Sequence, residues 1–212
     1  YMQGLYVSFQ MRNGIIKFIT FLSHFFRYIV FFPFHLLSKI IFKPIKSQMG
    51  KNLRASFSGA GSLPRYVDNF FNSIGIILVN AYGMTETSPG ILSRNLDRNT
   101  IGTTGVPFAE TEVKILNKEK METSIGEKGV LYAKGPQVMK GYYKNIEKTE
   151  EILSKDGWLD TGDFAVRTEN GDIIIVGRAK DTIVLLGGEN VDPEPIEEKI
   201  KDIVYIDNAV VL

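Results

Sequence analysis

An uninterrupted apolar run, Ile76-Ile-Leu-Val79, constrains this chain more than any other feature. Four consecutive apolar residues leave no polar face, which predicts a strand covered on both sides, as parallel strands are. What precedes the run fixes the rest of the unit. Leu53-Arg-Ala-Ser-Phe57 is short enough for a second strand and ends in a loop of small residues, Ser58-Gly-Ala-Gly61. Pro64 then opens a helix with apolar residues at Val67, Phe70, Phe71 and Ile74, and Gly75 closes it. The expectation is strand, helix, strand. A right-handed crossover between parallel strands sends the loops leaving both strands to one edge of the sheet, where open α/β sheets bind ligands. Ser58–Gly61 and the segment after the second strand, Tyr82–Ser88, should therefore line one crevice.

Beyond Pro89 the pattern changes to short strands with Gly-rich turns: Thr111–Leu116, Gly129–Lys134 and the stretch from Trp158. Asn145 is placed to cap a helix over Glu147–Leu153. Asn170-Gly171 signals a type I′ hairpin between Phe164–Glu169 and Asp172–Val176. A further strand pair flanks Gly187-Gly188, and Asp192-Pro193 starts a helix carrying Ile196 and Ile200, with Asp192 as its cap. The fold class expected is α/β. Part of a parallel αβ subdomain with an aromatic-rich helical start spans 1–98. A small β-rich subdomain spans 99–179, and the start of an α+β carboxy-terminal domain spans 180–212.

Composition narrows the chemistry. The chain has no cysteine, which excludes disulfides, thiolate metal sites and a cysteine nucleophile, and fits a reducing, cytoplasmic setting. Its two histidines, His24 and His35, both lie in an aromatic run and suit a packed interior better than a triad or a zinc site. A formal net charge of +1 conceals an uneven distribution. No Asp or Glu precedes Asp68, whereas nine Lys or Arg do, and nine of the fourteen Phe lie within the first 46 residues. Residues 14–43 read as two helices split near Pro33. Their bland reading is a buried aromatic pair; the sharper one is peripheral contact with the inner, anionic face of a membrane. Lys17, Arg27, Lys39 and Pro33 interrupt the run, which falls short of the roughly 18 uncharged residues of a spanning helix. Nucleic acid is not an expected partner. The chain opens at Tyr1 and stops within Asn208-Ala-Val-Val-Leu212, which reads as an unfinished strand and so as an internal fragment.

Tyr82-Gly-Met-Thr-Glu-Thr-Ser88 concentrates polar chemistry. Gly83 lets backbone approach a ligand, Thr85, Thr87 and Ser88 supply hydroxyls, and Glu86 is a lone carboxylate among neutral groups. Magnesium bound with nucleotide phosphates takes one or two carboxylates, a requirement Glu86 meets. An isolated Thr-Glu-Thr would suit a solvent-facing or capping glutamate better. Two more segments follow in order, Gly157-Trp-Leu-Asp-Thr-Gly-Asp163 and Gly177-Arg-Ala-Lys-Asp181. With the small-residue loop ahead of them, the set resembles the acyl-adenylate-forming (AMP-binding) superfamily. Gly50-Lys-Asn-Leu-Arg54 and Gly187-Gly-Glu-Asn-Val-Asp-Pro-Glu-Pro-Ile196 make the chain most similar to AMP-forming long-chain fatty acyl-CoA synthetases.

The resemblance implies roles residue by residue. Gly59 and Ala60 would pack against adenine, Tyr82 would wall the same base, and Gly83 and Met84 would complete the nucleotide-binding turn. Thr85 would contact phosphate and Glu86 would hold magnesium, as the catalytic pair. Asp163 would accept the ribose hydroxyls, and Arg178 would fix the ribose and phosphate end. Lys180 would be the hinge of the carboxy-terminal domain, with Gly187, Gly188 and Glu189 on the loop of the coenzyme A side; Trp158 is taken as core. The implied substrates are a fatty acid, ATP with Mg2+, and coenzyme A, in carboxylate adenylation followed by thioester formation. An acyl–acyl carrier protein synthetase shares each of these motifs. The reading from another class is a non-catalytic, membrane-associated nucleotide-binding protein. The family's upstream phosphate loop with its lysine, and its downstream adenylation lysine, have no counterpart in these residues, so the chain alone is expected to be inactive.

Overall fold

The computed structural model describes residues 37, 40–50, 52–184, 190–201, 203 and 205–211. The chain divides into two compact units, Tyr1–Leu53 and Arg54–Leu212. In the first, the described part centres on helix α1, Lys43–Met49, which buries none of its residues. Pro44 stands in its first turn, where an N–H has no intrahelical partner to lose, and Ser47 Oγ donates to the Pro44 carbonyl at 2.7 Å. The helix pair expected over residues 14–43 lies almost wholly outside the described residues, and His24 and His35 with it. No described helix is long and apolar enough to cross a membrane. Nothing in the described structure supports membrane contact.

The second unit opens on the expected strand, helix, strand. β1 (Ser56–Ser58) pairs in parallel with β2 (Leu78–Tyr82), Ser56 opposite Leu78 and Ser58 opposite Asn80, and helix α2 (Arg65–Ser73) connects them. The buried run sits slightly later than expected: Ile76 packs just ahead of β2, while Leu78 and Val79 are buried inside it. The face of α2 differs more. Its fully buried residue is Asp68, whereas Phe70 is 43% exposed and edge-on to Phe71. Arg94 is the reason. Its guanidinium grips the Asp68 carboxylate with both forks, Nη1 to Oδ1 at 2.9 Å and Nη2 to Oδ2 at 2.7 Å, and both side chains are 1% exposed. The Gly102 N–H and the Asn72 amide donate to the same carboxylate, each at 2.9 Å. Burial alone would push the Asp68 carboxyl up. The Arg94 hydrogen bonds, the Gly102 N–H and the charges of Arg94 and Arg65 outweigh burial and hold it below its ordinary value.

Two short strands, β3 (Leu92–Ser93) and β4 (Val106–Pro107), extend this sheet antiparallel in the order β1-β2-β3-β4. Strands of this length carry no periodicity, so the sequence does not announce them. The β-rich part then follows as expected: β5 (Glu112–Leu116), β6 (Lys128–Lys134), β7 (Leu159–Arg167) and β8 (Ile173–Arg178) form an antiparallel sheet in chain order. Helix α3 (Ile146–Ile152) bridges β6 and β7, capped by Asn145, whose side chain accepts from Lys148 N at 3.1 Å. The hairpin after β7 forms, but not with a type I′ turn. That turn needs positive φ at both central residues, and of the pair only Gly171 has it, at φ 83°. Instead Thr168 N bonds Asp172 O and Gly171 N bonds Thr168 O, both at 2.8 Å, closing a three-residue loop.

β9 (Ile183–Val184) and β10 (Asn190–Val191) pair antiparallel on either side of the Gly187-Gly188 segment, which lies outside the described residues. Helix α4 (Pro193–Lys201) follows. Two of its first three residues are prolines with no N–H to cap. The Asp192 carboxylate ahead of it meets Lys128 Nζ at 2.5 Å and Thr182 Oγ1 at 2.8 Å. The core of this unit joins Ile91, Leu92, Ile115, Leu131, Ala133, Ala165 and Ile173, with Tyr82 and Met84 packed against it. Trp158 is not in that core. It is half-buried and carries the Lys114 ammonium 4.1 Å above its ring.

Candidate functional site

A cavity of about 450 Å³ opens at the carboxyl ends of β1 and β2. Ala60 and Gly61, from the loop after β1, line one part; Tyr82, Gly83 and Met84, at the end of β2, line another; Asp163 from β7 and Arg178 from β8 complete it. The parallel crossover and the later β-hairpin thus deliver their motifs to one place. Gly59, Thr85 and Glu86 are not among the lining residues.

Asp163 and Arg178 meet because β7 and β8 are one hairpin. The two are direct cross-strand partners, and a register shift after Phe164 sets that pairing. Arg178 Nε lies 3.5 Å from Asp163 Oδ1, and the Tyr82 hydroxyl donates to Asp163 Oδ2. Thr161 secures the strand beneath them, donating to Leu131 O at 2.8 Å and accepting from Asp163 N at 3.2 Å. Arg178 is 71% exposed at its side chain, so its pairing with Asp163 is a solvated contact. Tyr82 differs. Burial first, then the hydrogen bond and charge of Asp163, push its phenol well above the ordinary range, and it remains a neutral donor.

The Tyr82–Ser88 segment is a turn held mostly by itself. A Cβ built on Gly83 would stand 1.4 Å from the Pro89 carbonyl oxygen. The glycine is therefore required by the chain's own return, and not by a ligand's approach as the sequence suggests. Thr85–Thr87 form one turn of 3₁₀-helix. The Thr87 hydroxyl, fully buried, donates to Met84 O at 2.9 Å and accepts from Met84 N at 3.1 Å. It closes the turn and is not a phosphate ligand. Ile91 N returns to Tyr82 O at 2.9 Å.

Thr85 is exposed, and Glu86 is held from outside the turn: Met139 N donates to its backbone oxygen at 2.8 Å and the Tyr142 hydroxyl to its Oε1 at 2.6 Å. The bond to Glu86, with burial and the carboxylate charge adding to it, raises the Tyr142 phenol. Among the described residues no cation pairs with Glu86, and no three potential metal-ligating side chains cluster.

The cavity also holds residues that sequence reading passes over. Asn80, two residues before Tyr82 on β2, shares its face by the two-residue period of a strand, and that signal was available. Its amide N–H donates to Thr103 O at 3.2 Å. Arg94 reaches the lining, yet its Nε binds Thr103 O at 2.7 Å and its forks bind Asp68, so its charge is already committed. Arg65 and Pro195 complete this side. Lys180 is exposed in the turn after β8, and Gly187, Gly188 and Glu189 lie outside the described residues.

Residues 16–143 match the model of a family described as AMP-binding enzyme. The chain is 45% identical over 192 residues to a chloroplastic long-chain-fatty-acid–[acyl-carrier-protein] ligase of Arabidopsis thaliana, covering 85% of this chain and 26% of that protein. It is 39% identical over 151 residues to a long-chain-fatty-acid–CoA ligase of Haemophilus influenzae, covering 70% of this chain and 26% of that protein. Among solved structures it is similar to O-succinylbenzoate coenzyme A synthetase of Bacillus subtilis in complex with ATP and magnesium ion. There the TM-score is 0.68 at 29% identity, over 74% of this chain and 33% of that one. The chain thus spans 26% of the length of these two curated relatives. The matched residues include the whole parallel unit and the Tyr82–Ser88 turn at the mouth of the cavity, and on that evidence the chain belongs to the AMP-binding enzyme family.

Proposed function

We propose that this chain is the nucleotide-holding part of an AMP-forming ligase that activates a long-chain fatty acid with ATP and passes the acyl group to coenzyme A. One observation carries the reading. Tyr82, Asp163 and Arg178 converge on a single cavity beside the small-residue loop at Ala60 and Gly61. Its volume of about 450 Å³ lies in the range of small-ligand pockets. Ala60 and Gly61 leave room for a flat base, and Tyr82 offers an aromatic wall. The Asn80 amide N–H is engaged with Thr103 O, which leaves its oxygen to accept from an exocyclic amino group. Asp163 would accept from ribose hydroxyls, since a carboxylate has about four acceptor positions.

From the ribose the phosphates would run toward Thr85 and Glu86. Thr85 would contact phosphate and Glu86 would hold magnesium together with phosphate oxygens, and the bound ion would supply neutralisation of phosphate charge. The donor set fits a phosphate-borne cation: a single carboxylate without a cationic partner among the described residues, in a turn of neutral hydroxyls. In the first stage a carboxylate oxygen of the fatty acid bonds to the α-phosphorus and pyrophosphate leaves. In the second the coenzyme A sulfur bonds to the acyl carbon and AMP leaves. The part played by these residues is to fix base and ribose so that the α-phosphorus faces the incoming carboxylate. Subdomains over 1–98 and 99–179, a carboxy-terminal domain from 180 hinged at Lys180, and a coenzyme A-side loop at Gly187, Gly188 and Glu189 belong to the same reading.

The chain by itself is proposed to be inactive: of the three arginines lining its cavity, Arg94 is locked to Asp68 and Arg178 faces Asp163, which leaves Arg65 alone to meet the phosphates. A second reading makes an acyl carrier protein the acceptor, supported by the 45% identity to the Arabidopsis carrier-protein ligase. The test is fatty-acid-dependent ATP–pyrophosphate exchange by the whole protein, followed by thioester formation with coenzyme A and carrier protein offered separately. Exchange with long-chain acids and thioester on coenzyme A are expected. Thioester on the carrier alone selects the second reading. Absence of acid-dependent exchange overturns both, and exchange by the 212-residue chain alone contradicts the proposed inactivity.

A further inference from the structure

We propose that Tyr142 is a positioning residue for the Glu86 carboxylate, its phenol fixing Oε1 so that Oε2 remains for a divalent cation carried by nucleotide phosphates. The proposal rests on the reading of Glu86 as the magnesium-side carboxylate. Its first support is that the segment ahead of α3 holds Glu86 at two points, through Met139 N on the backbone oxygen at 2.8 Å and the Tyr142 hydroxyl on Oε1 at 2.6 Å. One contact sets the height of the turn; the other sets the rotation of the side chain. A carboxylate with one oxygen pinned has lost most of the rotamer freedom that a cation would otherwise have to remove.

The second support is that Tyr142 is itself built in. Its backbone N donates to Thr149 Oγ1 at 2.9 Å, and Asn145 N donates to its carbonyl at 3.2 Å. Thr149 Oγ1 in turn donates to Asn145 O at 2.8 Å, so the first turns of α3 lock the loop that presents the phenol. A residue with a Cβ in place of Gly141 (φ 143°) would meet the Thr149 methyl at 2.8 Å. The position of Tyr142 is therefore dictated by a capped helix, although the residue is 37% exposed and contributes little to the core.

The third support is the choice of donor. A lysine or arginine would orient Glu86 equally well but would also cancel its charge and compete with the cation. A neutral phenol orients the carboxylate and leaves its charge in place, as partners behind metal-binding carboxylates do. Among the described residues Glu86 has no ion pair, which is consistent with a charge kept for an external cation.

The experiment measures Mn2+ binding to the whole protein at saturating non-hydrolysable ATP analogue, with free Mn2+ counted by electron paramagnetic resonance. Tyr142→Phe is expected to weaken Mn2+ binding about tenfold, with analogue affinity in the absence of divalent cation changed by less than about twofold. Glu86→Gln should weaken Mn2+ at least as much, and adding Tyr142→Phe to it should cause no further loss. If Glu86→Gln weakens Mn2+ binding and Tyr142→Phe does not, the positioning role is overturned while the reading of Glu86 stands. If Glu86→Gln leaves Mn2+ binding unchanged, the reading of Glu86 fails and takes this proposal with it. If Tyr142→Phe lowers the melting temperature and the affinities for analogue and Mn2+ alike, also in the Glu86→Gln background, Tyr142 is a tie between segments and the proposal is overturned.

Discussion

Asp68→Asn is the substitution whose cost the structure defines best. Four donors converge on the Asp68 carboxylate: the two forks of Arg94, the Gly102 N–H and the Asn72 amide. Asparagine keeps the shape but turns an N–H2 toward the guanidinium and leaves the Arg94 charge without a counterion at 1% exposure. Removing one member of a buried pair costs about 3–5 kcal/mol. For a chain of this size each kcal/mol lowers the melting temperature by about 2–4 °C, which gives a fall of about 6–20 °C by circular dichroism. Removing both charges together, as Asp68→Leu with Arg94→Met, should recover most of that loss, because apolar replacement of a whole buried pair is often close to neutral. Acid supplies an independent check. The folded carboxyl sits below its ordinary value, so the pair's contribution is complete above about pH 4, the unfolded carboxylate range, and disappears as pH falls through the folded value. Wild type and Asp68→Asn should converge in acid. A single variant melting within about 2 °C of wild type, or a double variant no better than the single, would refute the reasoning.

Two further outcomes follow from the turn and the tyrosine. Gly83→Ala places a methyl carbon where 1.4 Å separates it from the Pro89 carbonyl oxygen. With backbone on both sides, the turn must open, at about 1–3 kcal/mol or more; unchanged melting and unchanged ATP binding would contradict this. Tyr82→Phe keeps the aromatic wall and deletes the donor to Asp163, so ATP affinity should fall about tenfold, less than for Tyr82→Ala. Equal affinities of Tyr82→Phe and wild type would remove the phenol from the site. The raised phenol also predicts that its contribution to stability is complete below about pH 10 and is lost as pH rises toward the folded value. The stability difference between wild type and Tyr82→Phe should therefore shrink in alkali, read by melting above about pH 10.

Local pattern made much of this legible. The apolar run at Ile76–Val79, the helix after Pro64 and the small-residue loop together imply the parallel crossover, and β1 and β2 pair in that way. Asn170-Gly171 marks the hairpin that puts Asp163 opposite Arg178. The misses share a cause: each depends on a partner remote in sequence. Helical periodicity assigns Phe70 to the inside of α2, but Arg94, from the chain after β3, draws Asp68 inward and leaves Phe70 out. Gly83 looks like a ligand-side glycine until Pro89 folds back over it. Thr87 looks like one of three available hydroxyls until Met84 claims it on both counts. Trp158 looks like core by its size, yet its ring lies beneath a lysine. Composition offers no means of telling such cases apart, because the deciding contact is made elsewhere in the chain.

β8 ends at Arg178, and Lys180 is the second residue beyond it. Two residues of fully extended chain reach only about 7 Å. A pivot at Lys180 would therefore sit within about 7 Å of chain from Arg178, the cross-strand partner of Asp163, the carboxylate proposed to take the ribose. Torque at such a pivot would have little slack in which to dissipate before it reached Asp163. The β7–β8 hairpin would then carry both grip and lever, and occupancy of the cavity and a swing about residue 180 would be mechanically a single event.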